Sequence, residues 1–494
     1  MLSHRTIAVV RRPLRPWPVA TVSLLCLLAA LLPCPSGRSQ AAPLTVGMLA
    51  RGSQQAGYPR ANAPTLILQS SLVDPGSHQD IFGISVSVSA DGLTALVGAA
   101  GAAGSVGAGY VYRRSNTSVP FPANPSDILP DPGTDSRDDF GYAVALSADG
   151  LTALIGAPHA ADSAGVVYAY RRASLSRPFP ITPTDVLPDP GPGYDAFGTA
   201  VALSGDGLTA LIGGPGIGLG ITSLVGAAYT FRRGGRTMPF STRPTETLPD
   251  PGARRTDWFG FAVALSGDGS VALVGAPFTD KGSAEAVGVA YTFHRAGRNG
   301  GFTDSPIEIV ADPSPGYHDF FGRGLAISAD GLTILVAAPG TPKRGPLDTG
   351  PDYLYRRVGA GAAYIYRRVS RGRHFPAVPA AALFDPAPGQ DWFGTSVALS
   401  GDGLTTLVGA SVTSRAGISN VGASYAYRSE SRSTPFPTSP AVTLLDPGPN
   451  QDDFGISVAL AGDGRTAVVG ASGTPRGTVQ PAGAAYTYGP GRAP

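Results

Sequence analysis

Acidic residues recur at a fixed place along this 494-residue chain, and carboxylates are side chains that bind cations or transfer protons. Seven segments of the form Ser-Ala-Asp-Gly or Ser-Gly-Asp-Gly, with Ala-Gly-Asp-Gly in the last, each hold one acid. These acids are Asp91, Asp149, Asp206, Asp268, Asp330, Asp402 and Asp463. Calcium takes about 6 to 8 oxygen ligands, which a lone carboxylate in a two-residue turn cannot supply. We therefore interpret each Asp-Gly pair as a hairpin turn and expect neither a metal site nor a cofactor.

A second set of acids lies one or two residues before a recurring Phe-Gly dipeptide. Its members are Asp80, Asp139, Asp195, Asp257, Asp319, Asp391 and Asp453. If the repeats close into a ring, seven acids around one mouth would suit cation binding. Asx turns explain the same recurrence through local hydrogen bonds alone, and we favour that interpretation.

Arginine pairs close a tyrosine-rich segment in most of the repeats. They are Arg113-Arg114, Arg171-Arg172, Arg232-Arg233 and, in the fifth repeat, Arg356-Arg357 or Arg367-Arg368, with His294-Arg295 in the fourth. We expect exposed pairs that form salt bridges with neighbouring acids, which contribute little to stability. The alternative is an anionic glycan or another surface partner.

Signals for catalysis are weak. The histidines beyond His4 are scattered and form no metal-binding pair, and they are His78, His159, His294, His318 and His374. The chain has no Gly-x-Ser-x-Gly elbow, and Gly213 to Gly220 does not fit a dinucleotide fingerprint. We predict that the protein is not an enzyme. The alternative is an extracellular enzyme that acts on polysaccharide in a central depression, with a site assembled from distant loops.

The elements that would position these residues are short β-strands. Glycine (67) and proline (47) are frequent while apolar residues stay plentiful, which indicates many turns around a core. The second repeat shows the pattern most clearly, with alternating apolar residues and an Asp149-Gly150 hairpin. It predicts four antiparallel strands, Tyr142 to Ser147, Leu151 to Gly156, Gly165 to Arg171 and Thr184 to Leu187.

Seven such repeats follow one another at intervals of about 60 residues. Their Phe-Gly dipeptides begin at Phe82, Phe140, Phe197, Phe259, Phe321, Phe393 and Phe454. Four strands repeated seven times predict an all-β fold, a seven-bladed β-propeller of four-stranded antiparallel blades. The last repeat ends after its third strand, while residues 64–75 look like a fourth strand. We therefore predict that this N-terminal strand closes the ring.

Three segments divide the chain. Residues 1–41 have a basic start, an uncharged stretch from Val19 to Leu32 and small residues before the end, as in a secretory signal peptide. Residues 42–63 are predicted to be a flexible leader and residues 64–494 to be the propeller. Cys34 could instead carry a lipid anchor, but Leu32-Pro33 fits that poorly. We expect a secreted, extracellular protein with no membrane anchor.

Removal of residues 1–41 changes what the composition implies. Both cysteines, Cys26 and Cys34, lie in this segment, so disulfides would not stabilise the secreted domain. The segment also contains five arginines and no acid, so the formal charge changes from +2 to −3. The basic pI of the full chain is then no argument for nucleic-acid binding, and we expect no nucleic-acid partner.

The phrase FG...VALSGDG.TALVGAP followed by G.AYTYRR resembles the FG-GAP repeat of integrin alpha chains and of many secreted bacterial proteins. The resemblance covers residues 64 to 488 and implies a seven-bladed extracellular propeller that serves recognition or adhesion. Many units of that family carry a calcium loop between strands one and two. Here the same place holds only the Asp-Gly turn, so the family's calcium site is not expected.

Loops that differ between repeats are the better candidates for binding. The fifth repeat has an insertion, Gly340 to Gly359, whose binding candidates are Lys343, Arg344, Asp348, Asp352 and Tyr353. Lys281, in the loop of the fourth repeat, is the only other lysine of residues 42–494. A neutral insertion without a role is the alternative.

These observations favour a secreted, monomeric, non-catalytic recognition or adhesion propeller with an extracellular protein or glycan as partner. Besides the extracellular enzyme, the second alternative function is that of a purely structural envelope or matrix component.

Overall fold

The computed structural model describes residues 66–490, apart from a set of short gaps. The gaps are 76–80, 102–106, 134–137, 192–194, 217–224, 253–255, 296, 298–299, 343–358, 388, 390, 416, 449–450 and 476–481. The described residues belong to one compact unit, Arg60–Pro494. The predicted signal peptide and leader lie outside them, so those two assignments stay predictions.

Within this part of the chain, 28 strands form seven antiparallel sheets of four strands each. Blades 1 and 2 contain β2 (Phe82–Val88), β3 (Thr94–Ala99), β4 (Ala108–Arg113), β5 (Asp127–Pro130), β6 (Ala143–Leu146), β7 (Thr152–Ala157), β8 (Val166–Arg171) and β9 (Asp185–Pro188). Blades 3 and 4 contain β10 (Ala200–Leu203), β11 (Thr209–Gly214), β12 (Ala227–Arg232), β13 (Glu246–Pro249), β14 (Ala262–Leu265), β15 (Val271–Ala276), β16 (Val289–His294) and β17 (Glu308–Ala311). Blades 5 and 6 contain β18 (Gly324–Ile327), β19 (Thr333–Ala338), β20 (Ala362–Arg367), β21 (Ala381–Phe384), β22 (Ser396–Leu399), β23 (Thr405–Ala410), β24 (Ala423–Arg428) and β25 (Val442–Leu445). Blade 7 contains β26 (Ser457–Leu460), β27 (Ala467–Ala471), β28 (Ala484–Pro490) and β1 (Leu66–Val73). One helical turn, α1 (Ala160–Ser163), lies between β7 and β8.

The predicted seven-bladed propeller is confirmed, and so are the strands of the second repeat, whose ends agree with the prediction to within one residue. The hairpin between β6 and β7 forms where Asp149-Gly150 predicted it. Gly150 has φ +66°, and its N–H donates to Ser147 O (2.9 Å). Positive φ is the conformation that glycine adopts without a steric penalty, which explains the choice of residue.

The N-terminal strand closes the ring, as the sequence predicted. Strand β1 pairs antiparallel with β28, from Leu66 opposite Pro490 to Val73 opposite Ala484, and becomes the fourth strand of blade 7. Leu72 is completely buried and packs in one cluster with Phe82 of blade 1. Residues from the two ends of the chain therefore complete the last sheet and cover its edge.

Backbone hydrogen bonds form a closed circle around the central axis. The residue before each hairpin aspartate donates its N–H to the carbonyl of the equivalent residue in the next blade, at 2.7 to 3.0 Å. The order is Ala90, Ala148, Gly205, Gly267, Ala329, Gly401, Gly462 and back to Ala90. A methyl group on Gly267 would lie 3.0 Å from the Ala329 Cβ, so only small residues fit at this position.

The phenylalanine of each Phe-Gly dipeptide joins two blades. All seven are completely buried, and Phe140 lies in one cluster with Val111 and Leu129 of blade 1 and with Tyr168 of blade 2. The Phe140 and Tyr168 ring centres are 5.5 Å apart. The Phe-Gly repeat is therefore a packing element of the ring.

Antiparallel connectivity defines two faces of the propeller. The hairpins between strands one and two and the loops between strands three and four lie on one face, here named the hairpin face. The loops between strands two and three and the connections to the next blade lie on the opposite face, here named the loop face. Functional loops of a propeller are carried in this way by a rigid scaffold.

Candidate functional site

The hairpin aspartates act as turn residues. In blade 2 the Ser147 hydroxyl and the Leu151 N–H both donate to Asp149 Oδ1, at 2.6 and 3.0 Å. Blades 3 and 5 repeat this arrangement at Asp206 and Asp330. Among the described residues, no group of three or more His, Cys, Asp or Glu is arranged to hold a metal ion. The donor set of these turns does not fit a calcium loop, and independence from metal stays a prediction.

The acids before Phe-Gly lie in the interior instead of lining an open mouth. The equivalent residues are Asp138, Asp195, Asp257, Asp319, Asp391 and Asp452, all at most 6% exposed. In blades 2 and 7 the buried acids are therefore Asp138 and Asp452, and the prediction of Asp139 and Asp453 was wrong by one position. Asp139 and Asp453, each with φ of 52°, occupy the next position, which has positive φ in every blade. Asp80 lies outside the described residues.

Each buried acid lies near a second acid at the end of the preceding fourth strand. Asp452 lies close to Asp446, and Asp319 lies close to Asp312. Asp446 Oδ1 also accepts the Gly448 N–H (3.0 Å), which forms an Asx turn at the end of the fourth strand, whereas the prediction placed the Asx turns at the acids before Phe-Gly. Two neighbouring buried carboxylates disfavour each other's charged form. Burial, helped by Asp452, raises the pKa of Asp446 to about 7, and burial also raises the pKa of Asp452.

The two arginines of each pair have different roles, and the second one is buried, contrary to the prediction of exposed pairs. Arg172 is 5% exposed; its Nε donates to Gly150 O (2.9 Å) and its Nη2 to Thr94 Oγ1 of blade 1 (2.8 Å). Its guanidinium also stacks 4.8 Å from the Phe179 ring centre. Equivalent arginines in blades 1, 3, 4 and 5 are Arg114, Arg233, Arg295 and Arg368. A buried cation with these acceptors joins two blades, and its burial keeps it from contact with a surface partner.

The first arginine fits the salt-bridge interpretation in blades 1 to 3, whereas Arg367 of blade 5 donates to backbone carbonyls of blade 6. Arg113 Nη2 lies 3.2 Å from Asp127 Oδ1, and its Nη1 donates to Leu175 O of blade 2 (3.0 Å). In the fifth repeat the pair is Arg367-Arg368, at the end of β20, whereas Arg356-Arg357 lies outside the described residues.

The predicted binding residues Lys343, Arg344, Asp348, Asp352 and Tyr353 lie outside the described residues. The residues that flank this range are described, and a methyl group on Gly359 would lie 2.0 Å from Gly340 O. Gly340 itself lies against His318 and Phe320, because its own methyl group would meet the His318 carbonyl at 1.7 Å. The insertion therefore starts and ends beside the connection between blades 4 and 5.

Lys281 lies in the neighbouring loop of blade 4 and is exposed. Its backbone forms a tight turn in which Lys281 N–H donates to Ala284 O (2.9 Å) and Ala284 N–H donates to Lys281 O (3.1 Å). The lysine charge opposes the rise in the pKa of the buried Asp312, which burial raises. Lys281 thus belongs to the loop face of blade 4, next to the root of the insertion.

Five half-buried aromatic residues on the loop face of blades 4, 5 and 6 form a feature that the sequence analysis missed. This aromatic patch consists of Trp258, Phe261, Phe278, Phe320 and Trp392. Trp258 lies 4.2 Å from Phe278 and 5.8 Å from Phe261, measured between ring centres, and Phe278 lies 5.2 Å from Phe320. Partly exposed, mutually packed rings of this kind mark interaction sites more often than they mark cores.

Arg323 connects the two sides of the aromatic patch. Its guanidinium carbon lies 5.3 Å from the Phe261 ring centre and 5.7 Å from the Trp392 ring centre. These distances are within the range of cation–π contact. Arg323 therefore places a positive charge between rings that belong to blades 4 and 6.

A signal for the patch was present in the sequence. The residue before Phe-Gly is Ile81, Asp139 or Ala196 in blades 1 to 3, but Trp258, Phe320 and Trp392 in blades 4 to 6. Trp258 and Trp392 are the only tryptophans of residues 42–494. The three aromatic residues have φ of 54°, 54° and 52°, a strained conformation for bulky side chains. Positive φ recurs at this position in every blade, so the aromatic side chains and not the backbone distinguish blades 4 to 6.

A cavity of about 750 Å³ opens on the hairpin face. Asp268, His294, Arg295 and Arg371 line it, and Arg371 is hydrogen-bonded to Asp268. Burial and the nearby Arg368 lower the pKa of His294, whose ring nitrogen lies 3.0 Å from Arg368 Nη1. Among the described residues this cavity is where the enzyme alternative would find polar groups, although its acid and arginines are paired with one another.

Comparison with known proteins supports the repeat assignment. The profile of the FG-GAP repeat matches four segments, residues 128–170, 245–293, 386–427 and 446–488. Each segment begins in or beside a fourth strand and runs through the next Phe-Gly to just short of the end of a third strand, so the repeat unit spans a junction between blades. No curated protein matches the chain. Within the described part of the chain, no helix is long and apolar enough to span a bilayer. Seven Phe-Gly repeats in register, four profile matches and seven blades together identify the chain as an FG-GAP repeat β-propeller.

Proposed function

We propose that the protein is a secreted, non-catalytic recognition propeller that binds a protein or carbohydrate at a cell surface or in a matrix. The FG-GAP propeller fold suggests a binding or recognition role. The aromatic patch carries the proposal, because it concentrates partly exposed rings and a cation on one part of the loop face. Rigid aromatic anchors and arginine are the residues that dominate binding energy at interfaces.

The patch also adjoins the loop candidates of the sequence analysis. Gly340, where the insertion of blade 5 begins, would meet Phe320 Cδ2 at 3.0 Å through an added methyl group. Lys281 lies three residues after Phe278 in the same loop. The proposed binding surface therefore comprises the aromatic patch, Arg323, Lys281 and the insertion from Gly340 to Gly359.

The test compares the full exported chain with a Trp258→Ala/Trp392→Ala double variant on a glycan array and on intact cells. We expect the double variant to lose at least tenfold in affinity for whatever the native chain binds, because interface anchors of this size contribute over about 1 kcal/mol each. An Ile181→Ala variant is the control, since Ile181 is 72% exposed on the hairpin face. Equal binding by the double variant would refute the assignment of the site.

The same experiment distinguishes a recognition protein from the alternative of a purely structural component. A purely structural envelope component has no discrete ligand, so it would give no saturable binding in either assay. The enzyme alternative would require release of product from a polysaccharide, and we expect none.

A further inference from the structure

Arg323 differs from the other buried or half-buried arginines of the propeller in its hydrogen bonding. Arg172 and its equivalents donate to backbone or hydroxyl oxygens, and Arg113 donates to a carboxylate and to a carbonyl. Within the described residues, the Arg323 guanidinium has ring contacts but no oxygen acceptor. Its five N–H donors are therefore available to a ligand.

The surroundings of Arg323 fix its position. Phe261 and Trp392 hold the guanidinium from blades 4 and 6, and the positive φ of Trp392 (52°) sets where the indole lies. Arg323 follows Phe321-Gly322 directly, and the equivalent positions of blades 4 and 6 hold Phe261 and Thr395. Preorganisation of this kind lowers the entropy cost of binding.

The hydrogen-bonding state of Arg323 is what favours an anion. Glu285 accepts a hydrogen bond from the Tyr317 hydroxyl (2.6 Å), and Asp280 Oδ1 accepts one from the Ala286 N–H (2.9 Å); both acids keep their negative charge. Neither acid pairs with Arg323 among the described residues, so the charge of its guanidinium is left for a ligand. Guanidinium groups bind carboxylate and sulfate through two parallel hydrogen bonds.

We propose that the aromatic patch and Arg323 form a binding site for an acidic polysaccharide, deepening the proposed recognition function on which this inference rests. A sugar ring packs its C–H face on the Trp392 indole while its carboxylate or sulfate accepts hydrogen bonds from Arg323. We assign a polysaccharide because a half-exposed indole beside a guanidinium without an oxygen acceptor offers a sugar unit both an apolar face and an anion contact. Binding of a protein segment instead is an outcome of the test.

The experiment measures binding of the full exported chain to three polysaccharides at one ionic strength by titration calorimetry. Polygalacturonate supplies carboxylates, heparin supplies sulfates, and dextran is neutral. We expect saturable binding to one or both acidic polymers and at least tenfold weaker binding to dextran. The polymer that binds more tightly shows which anionic group the site prefers.

Variants separate the site from general charge attraction. Arg323→Gln is expected to weaken binding of the acidic polymer by about tenfold, since a charge-assisted hydrogen-bond pair is lost. Arg323→Lys keeps the charge but not the paired geometry, so an intermediate loss is expected. The matched control is Arg373→Gln, because Arg373 is an exposed arginine on the hairpin face. A thermal unfolding curve confirms that each variant is folded.

Three results would overturn the inference. They are equal binding by Arg323→Gln and the native chain, an equal loss in Arg323→Gln and Arg373→Gln, and equal affinity for dextran. If the native chain binds a protein or a neutral glycan and the tryptophan double variant abolishes this, the recognition function stands and the acidic ligand is refuted. If no partner of any class binds, both fail.

Discussion

The Arg323 guanidinium and the Trp392 indole meet across the junction of blades 5 and 6, with 5.7 Å between the guanidinium carbon and the ring centre. Both residues lie at the start of an inner strand, and both flank a Phe-Gly dipeptide. The Phe-Gly dipeptide serves packing in every blade, and in blades 4 to 6 the residues beside it also contribute to the aromatic patch. This contact makes tryptophan fluorescence a direct probe of the candidate site.

Iodide should quench the tryptophan fluorescence of the protein more strongly than caesium does. The measurement is made on the exported chain without residues 1–41, which contain Trp17, so that emission comes from Trp258 and Trp392 alone. Arg323→Gln should lower the iodide quenching constant by about two- to threefold, because a positive charge near the indole concentrates the anion. The neutral quencher acrylamide serves as the control and should be unaffected. An unchanged iodide constant in Arg323→Gln would show that its charge does not act at the indole.

The paired acids should make the propeller more stable in mild acid than at neutral pH. Burial raises the pKa of Asp446 to about 7 and that of Asp453 to about 7, with Asp452 adding to both and Arg415 opposing the shift at Asp446. The tyrosines Tyr486 and Tyr488 face the same pair. An acid whose folded pKa is raised stabilises the fold fully below its unfolded pKa, near 4. That stability is lost as the pH rises through the folded pKa.

The free energy of unfolding in urea should therefore fall between pH 4.5 and pH 7.5. Asp452→Asn should reduce this slope and raise stability at pH 7.5 by on the order of 1 kcal/mol, because the amide donates a hydrogen bond to Asp446 without a shared proton. Asp304→Asn is the control, since Asp304 is exposed. A slope that is the same in the Asp452 and Asp304 variants would show that the pair does not titrate in this range.

Close approach between inner and outer strands of adjacent blades should make one glycine irreplaceable. A methyl group on Gly213 would lie 1.9 Å from the Gly260 carbonyl oxygen of blade 4. Gly213→Ala should lower the free energy of unfolding by about 3 kcal/mol, because the backbone of the neighbouring blade must move. Gly235→Ala has no atom within 4 Å of the added methyl group and should change stability by less than about 0.5 kcal/mol. Equal effects in urea denaturation would contradict this account of the blade junction.

Ring closure predicts different outcomes for two leucines on strand β1. Leu72 is completely buried and Leu68 is 43% exposed. Leu72→Asp should lower the free energy of unfolding by about 3 to 5 kcal/mol, because a charge enters the core of blades 7 and 1. Leu68→Asp should cost less than about 1 kcal/mol. The measurement is thermal or urea unfolding, and similar stabilities of the two variants would mean that β1 does not close the ring in solution.

Much of the fold could be predicted because its rules are local. Alternation of side chains sets the strands, Asp-Gly sets the hairpins, and seven repeats in register require seven equivalent blades. The pairing of residues 66–73 with β28 could also be predicted, because a last repeat without a fourth strand leaves one sheet edge open. The strand ends of the second repeat agree to within one residue for the same reason.

Which polar side chains are buried was harder to predict from the sequence, because their burial depends on residues of another blade. The repeated arginines look like surface cations in sequence, but Arg172 is buried because Thr94 and Gly150 supply acceptors from two blades. Asp138 and Asp139 are equivalent candidates in sequence, and only the backbone path shows that Asp138 turns inward.

The sequence by itself determined that the chain forms a ring of seven blades closed by its two ends, because short-range patterns and repeat number fix that outcome. Only the tertiary structure decided which of the non-repeating residues meet. Trp258, Arg323 and Trp392 are more than 60 residues apart from one another, and Arg323 meets Trp392 because both flank a Phe-Gly dipeptide in adjacent blades. A ring brings the Phe-Gly segments of successive repeats side by side, and this places the candidate site beside them.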